Sequence, residues 1–312
     1  MVRRSQLFLA TFTLFISLES MGSFSATFTI TNNCDYTVWP GILSNAGTAV
    51  LATTGFSLNK GESRTLDVPA AWSGRLWGRT LCTTDTTTGN FACGTGDCGS
   101  NNIECSGGGA IPPATLAEFT LSGNDNKDFY DVSLVDGYNL PMAVVPQGGG
   151  GNNCTAAGCL VQLNGACPAE LKVVMSSESV ACRSACDAFG SPQYCCKGDY
   201  GNSNICKPTV YSEFFKNACP RAYSYAYDDA TSTFTCSSGT EYSITFCPST
   251  TREMTGKDPE AAAALPLIND TMVFLGGNQI NLASMTAMGC AVPLWLTITL
   301  VFATWLLLQR RF

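Results

Sequence analysis

Residues 27–43 read TFTITNNCDYTVWPGIL. Phe28 and Ile30 alternate with Thr27, Thr29 and Thr31, the period of two expected of a half-buried strand whose successive side chains leave the backbone on opposite faces. The same texture recurs at residues 63–68, 116–121, 129–135, 231–236 and 242–246, short runs of β-branched and aromatic residues bounded by Gly, Asn, Asp or Pro. Many short strands separated by turn signals predict a mainly β chain whose core is an antiparallel β-sandwich.

Two cysteine-dense stretches, 82–105 and 154–219, interrupt the strands and are rich in Gly, Asn and Ser. They predict two disulfide-rich loop subdomains, about 82–111 and 154–219. The sandwich core then comprises about 26–81, 112–153 and 220–247. In the larger subdomain, residues 168–175 and 179–189 carry Ala, Leu, Glu and Lys in helix-compatible order, and 211–218 allow a helical turn or two. The glycine run 148–151 has linker composition, with Cys154 close enough to tie it down.

Both ends depart from this composition. Arg3 and Arg4 precede an apolar run over 7–18, with Ser23 and Ser25 beyond it, so residues 1–25 are expected to be a signal peptide. Residues 248–284 carry Pro, Thr, Ala and Asn with no cysteine and read as a stalk. Residues 285–308 are uncharged and apolar, long enough to cross a bilayer as a helix. The tail also fits a lipid-anchor signal with Asn278, Asn281 or Ser284 as the attachment residue, while Arg310 and Arg311 resemble the cytoplasmic flank of a single-pass helix. Either way the tail is expected to attach the chain to a membrane. Sequons occur at Asn269 and Asn153.

Of 17 cysteines, sixteen lie between Cys34 and Cys247. An even set behind a signal peptide predicts eight disulfides and an oxidising compartment. The absence of histidine argues against a zinc site and excludes Ser-His-Asp and Cys-His catalysis. No phosphate-binding Gly-Lys-Ser or Gly-Lys-Thr loop is present, and no cofactor or metal is expected. Setting aside the four terminal arginines and Glu19 leaves 13 basic and 23 acidic residues, a net charge of about −10. Such a surface repels phosphate backbones, so nucleic-acid binding is not expected.

The segments GNFACGTGDC (89–98), PPATLAEFTL (112–121), DFYDVSLVDGYNLPM (128–142) and CPRAYSYAYDD (219–229), with the adjacent pair Cys195 and Cys196, closely resemble the signatures of thaumatin-like proteins, the pathogenesis-related group five of plants. The resemblance covers residues 26–247 and departs from the family pattern at Ser100. Sixteen cysteines alone permit roughly two million pairings. The resemblance implies Cys34-Cys247, Cys82-Cys93, Cys98-Cys105, Cys154-Cys236, Cys159-Cys219, Cys167-Cys182, Cys186-Cys195 and Cys196-Cys206. It also implies a cleft formed by Arg75, Glu118, Asp131, Asp136 and Asp228, with Arg79 and Asp229 as close neighbours.

Strand parity supports part of that set. Ala117, Phe119 and Leu121 share one face of their strand, which turns Glu118 to the other. Tyr130, Val132 and Leu134 likewise leave Asp131 beside Ser133. Asp136 has the wrong parity, yet Gly137 permits a turn that redirects it. Ionised carboxylates accept hydrogen bonds from sugar hydroxyls. The resemblance therefore implies a secreted or cell-surface defence protein, monomeric, that binds fungal-wall β-1,3-glucan or a related polar component. The competing readings are a weak endo-β-1,3-glucanase, with Glu118 as acid and Asp131 or Asp136 as partner, and an inhibitor of a foreign hydrolase.

Overall fold

The computed structural model describes residues 24–249 and 252–253. Residues 1–23 of the signal peptide expected over 1–25, most of the stalk, the tail and Asn269 lie outside the described residues. Among those that are described, no helix is long and apolar enough to cross a membrane.

In chain order the strands are β1 (Phe24–Asn32), β2 (Trp39–Ser44), β3 (Ser63–Pro69), β4 (Ser73–Thr84), β5 (Phe91–Thr95), β6 (Leu116–Thr120), β7 (Lys127–Ser133), β8 (Met142–Gln147), β9 (Ala157–Cys159), β10 (Val161–Gln162), β11 (Lys172–Met175), β12 (Glu178–Cys182), β13 (Phe234–Ser237), β14 (Glu241–Phe246) and β15 (Arg252–Glu253). Two sheets form the sandwich. One runs β3-β1-β14-β8-β9 and the other β13-β7-β6-β4-β2, with β5 added to β4.

Alternation decides which side chains enter the core. Phe28 and Ile30 are buried while Thr27, Thr29 and Thr31 are half-buried. Phe28 packs on Phe119 from the opposite sheet at 4.4 Å between ring centroids, and Tyr242 meets Phe119 at 5.2 Å and Tyr130 at 5.1 Å. Each such aromatic removes a large apolar area from water and gains further from edge and offset ring geometry. The phenol of Tyr242 donates to the buried carboxylate of Asp128, which also accepts from the amide of Ser122.

Neighbouring strands are antiparallel within the sandwich except for β1 and β14, which run parallel with Phe28 opposite Tyr242. That parallel pair brings the ends of both strands to the same side of the sheet. Cys34, just past β1, therefore meets Cys247, just past β14, with 4.9 Å between Cα atoms. The other seven disulfides join Cys82 to Cys93, Cys98 to Cys105, Cys154 to Cys236, Cys159 to Cys219, Cys167 to Cys182, Cys186 to Cys195 and Cys196 to Cys206.

The larger disulfide-rich region carries α1 (Ala185–Phe189), α2 (Pro192–Cys195) and α3 (Val210–Ala218), and α4 (Asp229–Ser232) follows it. Ser184 caps α1 by accepting from the amide of Asp187, and Thr209 and Ser212 form a reciprocal capping box on α3. Helix was expected over 168–175, but Lys172–Met175 is strand β11, paired with β12. Ser176 and Ser177 both adopt positive φ, the geometry of a tight two-residue hairpin loop, and the Cys167-Cys182 bridge ties the end of β12 to the segment ahead of β11. The same hairpin takes the first part of the helix expected over 179–189. The strand expected from 231 begins only at Phe234, because α4 occupies the preceding residues.

The outer face of the β4-containing sheet is covered at one end. Trp77, Leu116, Ala114, Cys98 and Cys105 form a second buried cluster there, beneath the loop that spans Cys98 and Cys105. The indole of Trp77 donates to the carbonyl of Gly96. Gly41 lies opposite on β2, where a Cβ would come within 2.5 Å of the indole ring. Beyond this cluster the sheet face is left open.

Candidate functional site

The open part of the sheet carries a row of charge. Arg75 on β4 is the register partner of Glu118 on β6, and Glu118 is in turn the register partner of Asp131 on β7. Direct cross-strand neighbours have Cβ atoms about 5 Å apart, so the three side chains stand side by side. Their strand neighbours Ala117, Phe119, Tyr130 and Val132 all point into the core. An apolar core on one face of each strand thus fixes a polar row on the other.

Two loops complete a cleft of about 380 Å³ lined by Arg75, Glu118, Asp131, Asp136, Tyr223 and Asp229, with Leu116, Ser133, Val135 and Ala226. Asp136 arrives through the turn that ends β7, where the amide of Gly137 donates to the carbonyl of Leu134. Gly137 has φ of 90°, and a Cβ there would meet Pro113 at 2.6 Å and the Cys182 carbonyl at 2.7 Å. Only glycine fits both constraints.

The second loop runs past the edge of β7. The amide of Tyr223 donates to the Val132 carbonyl, and its carbonyl accepts from the amide of Leu134. This short parallel bridge aims the Tyr223 ring across the cleft, where its hydroxyl donates to Asp229 Oδ1 at 2.8 Å and touches the hydroxyl of Thr233. Tyr223 was not among the residues singled out in the sequence. Its signal is its place in the YSYAYDD segment just ahead of the two aspartates.

Asp228 departs from the expected set. Its Oδ2 is 2.9 Å from Lys216 Nζ and accepts from both the amide and the hydroxyl of Ser224, while Thr231 donates to its Oδ1. These contacts turn the carboxylate back into the loop, and the neighbouring Asp229 lines the cleft instead. Arg79 also lies elsewhere, fully buried beneath the small loop subdomain. The amide nitrogen of Asn153, in the first sequon, donates to the Thr233 carbonyl.

Burial and like charge govern the electrostatics of the row. Burial pushes the carboxyl of Glu118 up, with Arg75 opposing and Asp136 adding to the rise. Asp131 is held well above the ordinary aspartate range by burial first, then by Glu118 and Asp229. Its Oδ1 has neither solvent access nor a hydrogen-bond partner. Burial, with help from Asp229 and Asp131, also raises the Tyr223 phenol.

A carboxyl whose folded-state pKa exceeds its unfolded value binds protons more readily in the native protein, so its contribution to stability falls as pH rises through that window. Asp131→Asn removes that penalty. Relative to the parent, the variant should show a higher Tm at pH 7 and no gain below about pH 3.5, where the aspartate of the unfolded chain is itself protonated. Thermal scans at the two pH values check this, and an equal Tm at pH 7 contradicts it.

Residues 32–248 match the sequence model described as the Thaumatin family. Among curated relatives, Thaumatin-like protein 1 of Arabidopsis thaliana is 56% identical over 246 residues, covering 77% of this chain and 93% of that protein. A protein named PR5-like receptor kinase, also from Arabidopsis thaliana, is 56% identical over 243 residues, covering 77% of this chain but only 36% of its own length. A Prunus avium protein named glucan endo-1,3-beta-glucosidase is 54% identical over 228 residues, covering 73% of this chain and 92% of its own.

Proposed function

The chain belongs to the thaumatin family, and from that premise we propose that it is a secreted plant defence protein that binds β-1,3-glucan or a related polar glycan through the acidic cleft. The observation that carries this reading is the unbroken cross-strand row of Arg75, Glu118 and Asp131 at the floor of an open groove. Carboxylates offer strong acceptors to sugar hydroxyls, and the guanidinium offers donors. A rigid sheet holds them in one line, so little ordering opposes binding. Eight disulfides fit folding in the secretory pathway, and the apolar tail over 285–308 would retain the domain at the outer surface of the membrane.

Isothermal titration of the purified protein with laminarihexaose tests the reading. Binding should be saturable, and Glu118→Gln should weaken it at least tenfold, about 1.4 kcal/mol, the scale of one lost charge-assisted hydrogen bond. Unaltered affinity in Glu118→Gln would remove the cleft from consideration.

A second reading is supported by the two elevated carboxyls. Weak hydrolysis of β-1,3-glucan needs one protonated and one ionised carboxyl. The environments favour Asp131 as the proton donor, because its register partner Glu118 and the nearby Asp229 are both acidic, and Glu118 as the anion, because Arg75 flanks it. This reverses the roles expected from sequence. New reducing ends that vanish in Asp131→Asn would establish hydrolysis; the binding reading expects none from the parent.

A further inference from the structure

Four carboxylates, Glu118, Asp131, Asp136 and Asp229, line the cleft against one guanidinium, that of Arg75. Among the described residues the ion pairs engage none of them: Lys127 pairs with Asp125, Arg183 with Asp187 and Lys216 with Asp228. Asp131 is the most exposed to this imbalance. On β6 it faces Glu118, from the start of α4 it feels Asp229, and Arg75 lies on the far side of Glu118. Its Oδ1 is cut off from water and accepts no hydrogen bond, although it belongs to a residue that lines the open cleft. A buried acceptor left without a donor is costly, and native proteins rarely retain one.

From this geometry we infer that the preferred ligand of the cleft is a cationic amino-sugar glycan, whose ammonium group sits over the Glu118 and Asp131 pair. The inference rests on the reading of the cleft as a glycan site and narrows it. A neutral sugar hydroxyl gives one donor and no charge. An ammonium gives three donors and a positive charge, so it relieves the crowding of like charge and, once the Asp131 carboxyl turns to bring Oδ1 to the cleft, supplies the donor that oxygen lacks. A metal ion suits the arrangement less well, since among the described residues no three carboxylates converge as metal ligands. Glu118 and Asp131 stand side by side across the strands, with Asp136 and Asp229 reaching in from the flanks, as a chain of sugar units would meet them.

The association carries a proton balance. Burial and its acidic neighbours favour the protonated form of Asp131. An ammonium over the carboxyl favours its ionised form, so binding of the amino sugar is coupled to proton release from Asp131 and weakens as pH falls.

Titration calorimetry of the purified protein at pH 5.5 tests this with three hexamers: glucosamine, N-acetylglucosamine and laminarihexaose. The glucosamine hexamer should bind at least tenfold more tightly than its acetylated form. Its heat should change with the ionisation enthalpy of the buffer in the direction of proton release. Asp131→Asn should abolish the release and cost the glucosamine hexamer at least tenfold more affinity than it costs laminarihexaose. Asp67→Asn, which removes a charge from the exposed face of β3, should leave all three unchanged. Equal binding of the acetylated and free hexamers overturns the inference, as does a preference that survives in Asp131→Asn, since that would reflect diffuse attraction to an acidic protein. If laminarihexaose binds without any preference for the amine, this inference falls and the glycan reading stands. If no hexamer binds, both fall.

Discussion

Replacing Cys34 and Cys247 together with alanine should lower the stability of the domain by about 5 kcal/mol, through loss of a cross-link whose two cysteines are 213 residues apart in sequence. In the chain-entropy account, the reduction in unfolded-state freedom grows with the logarithm of the enclosed length, and this bridge encloses almost all of the described chain. The native state needs no distortion to accommodate it, because the parallel pairing of β1 and β14 already delivers both cysteines to one end of the sheet. Denaturant unfolding of the parent and the double variant, with the other seven disulfides intact, gives the difference. A loss below about 1 kcal/mol would mean that the strand pairing alone holds the ends. Full reduction of all eight bridges should go further and abolish protease resistance.

Arg79→Leu should cost about 4 kcal/mol, an unusually large effect for a single substitution. The guanidinium is wholly buried, yet among the described residues it pairs with no carboxylate. It donates instead to the backbone carbonyls of Trp39, Pro40 and Ile103 and to Cys98 Sγ, and it lies 5.4 Å from the centroid of Phe91. Burial lowers its pKa to about 10, with Asp97 and Glu104 pulling the other way. An apolar replacement for a buried ion pair is often harmless because both partners can be removed. Here the acceptors are main-chain oxygens that no mutation removes, and each stranded carbonyl costs roughly 1–3 kcal/mol. Because Ile103 belongs to the small loop subdomain, hydrogen exchange should accelerate over residues 96–111 before the sandwich opens. Arg79→Lys should recover only part of the loss, since an ammonium lacks the planar fork that reaches several carbonyls. Unchanged exchange in that loop would show that other contacts anchor it.

How much of this was legible in the sequence depends on the range of the controlling interaction. The alternation of Ala117, Phe119 and Leu121, and of Tyr130, Val132 and Leu134, was enough to place Glu118 and Asp131 on the polar faces of their strands. Parity does not fix register, so the pairing of Glu118 with Asp131, and of Arg75 with Glu118, appears only in the folded sheet. The choice between Asp228 and Asp229 was illegible for a different reason. Both sit at the start of α4, a helix of four residues too short to show periodicity, and the decision falls to Lys216, twelve positions before the first of them on α3.

Elsewhere tertiary constraints overrode local preference. Ala169, Glu170, Leu171 and Lys172 favour helix in isolation, but the Cys167-Cys182 bridge and the Ser176-Ser177 turn fold the segment into a hairpin. The parallel neighbours β1 and β14 leave no local trace, because Phe28 and Tyr242 are partners across nearly the whole domain. By contrast, the helical turns expected over 211–218 are found as α3, and the capping box of Thr209 and Ser212 fixes its start.

A crystal of the protein soaked with a β-1,3-glucan or glucosamine oligomer tests the central claim most directly. The account predicts sugar density along the Arg75, Glu118 and Asp131 row, with a ligand donor within about 3 Å of the Asp131 carboxyl. Sugar bound on another surface, with no ligand donor at the Asp131 carboxyl, would contradict it.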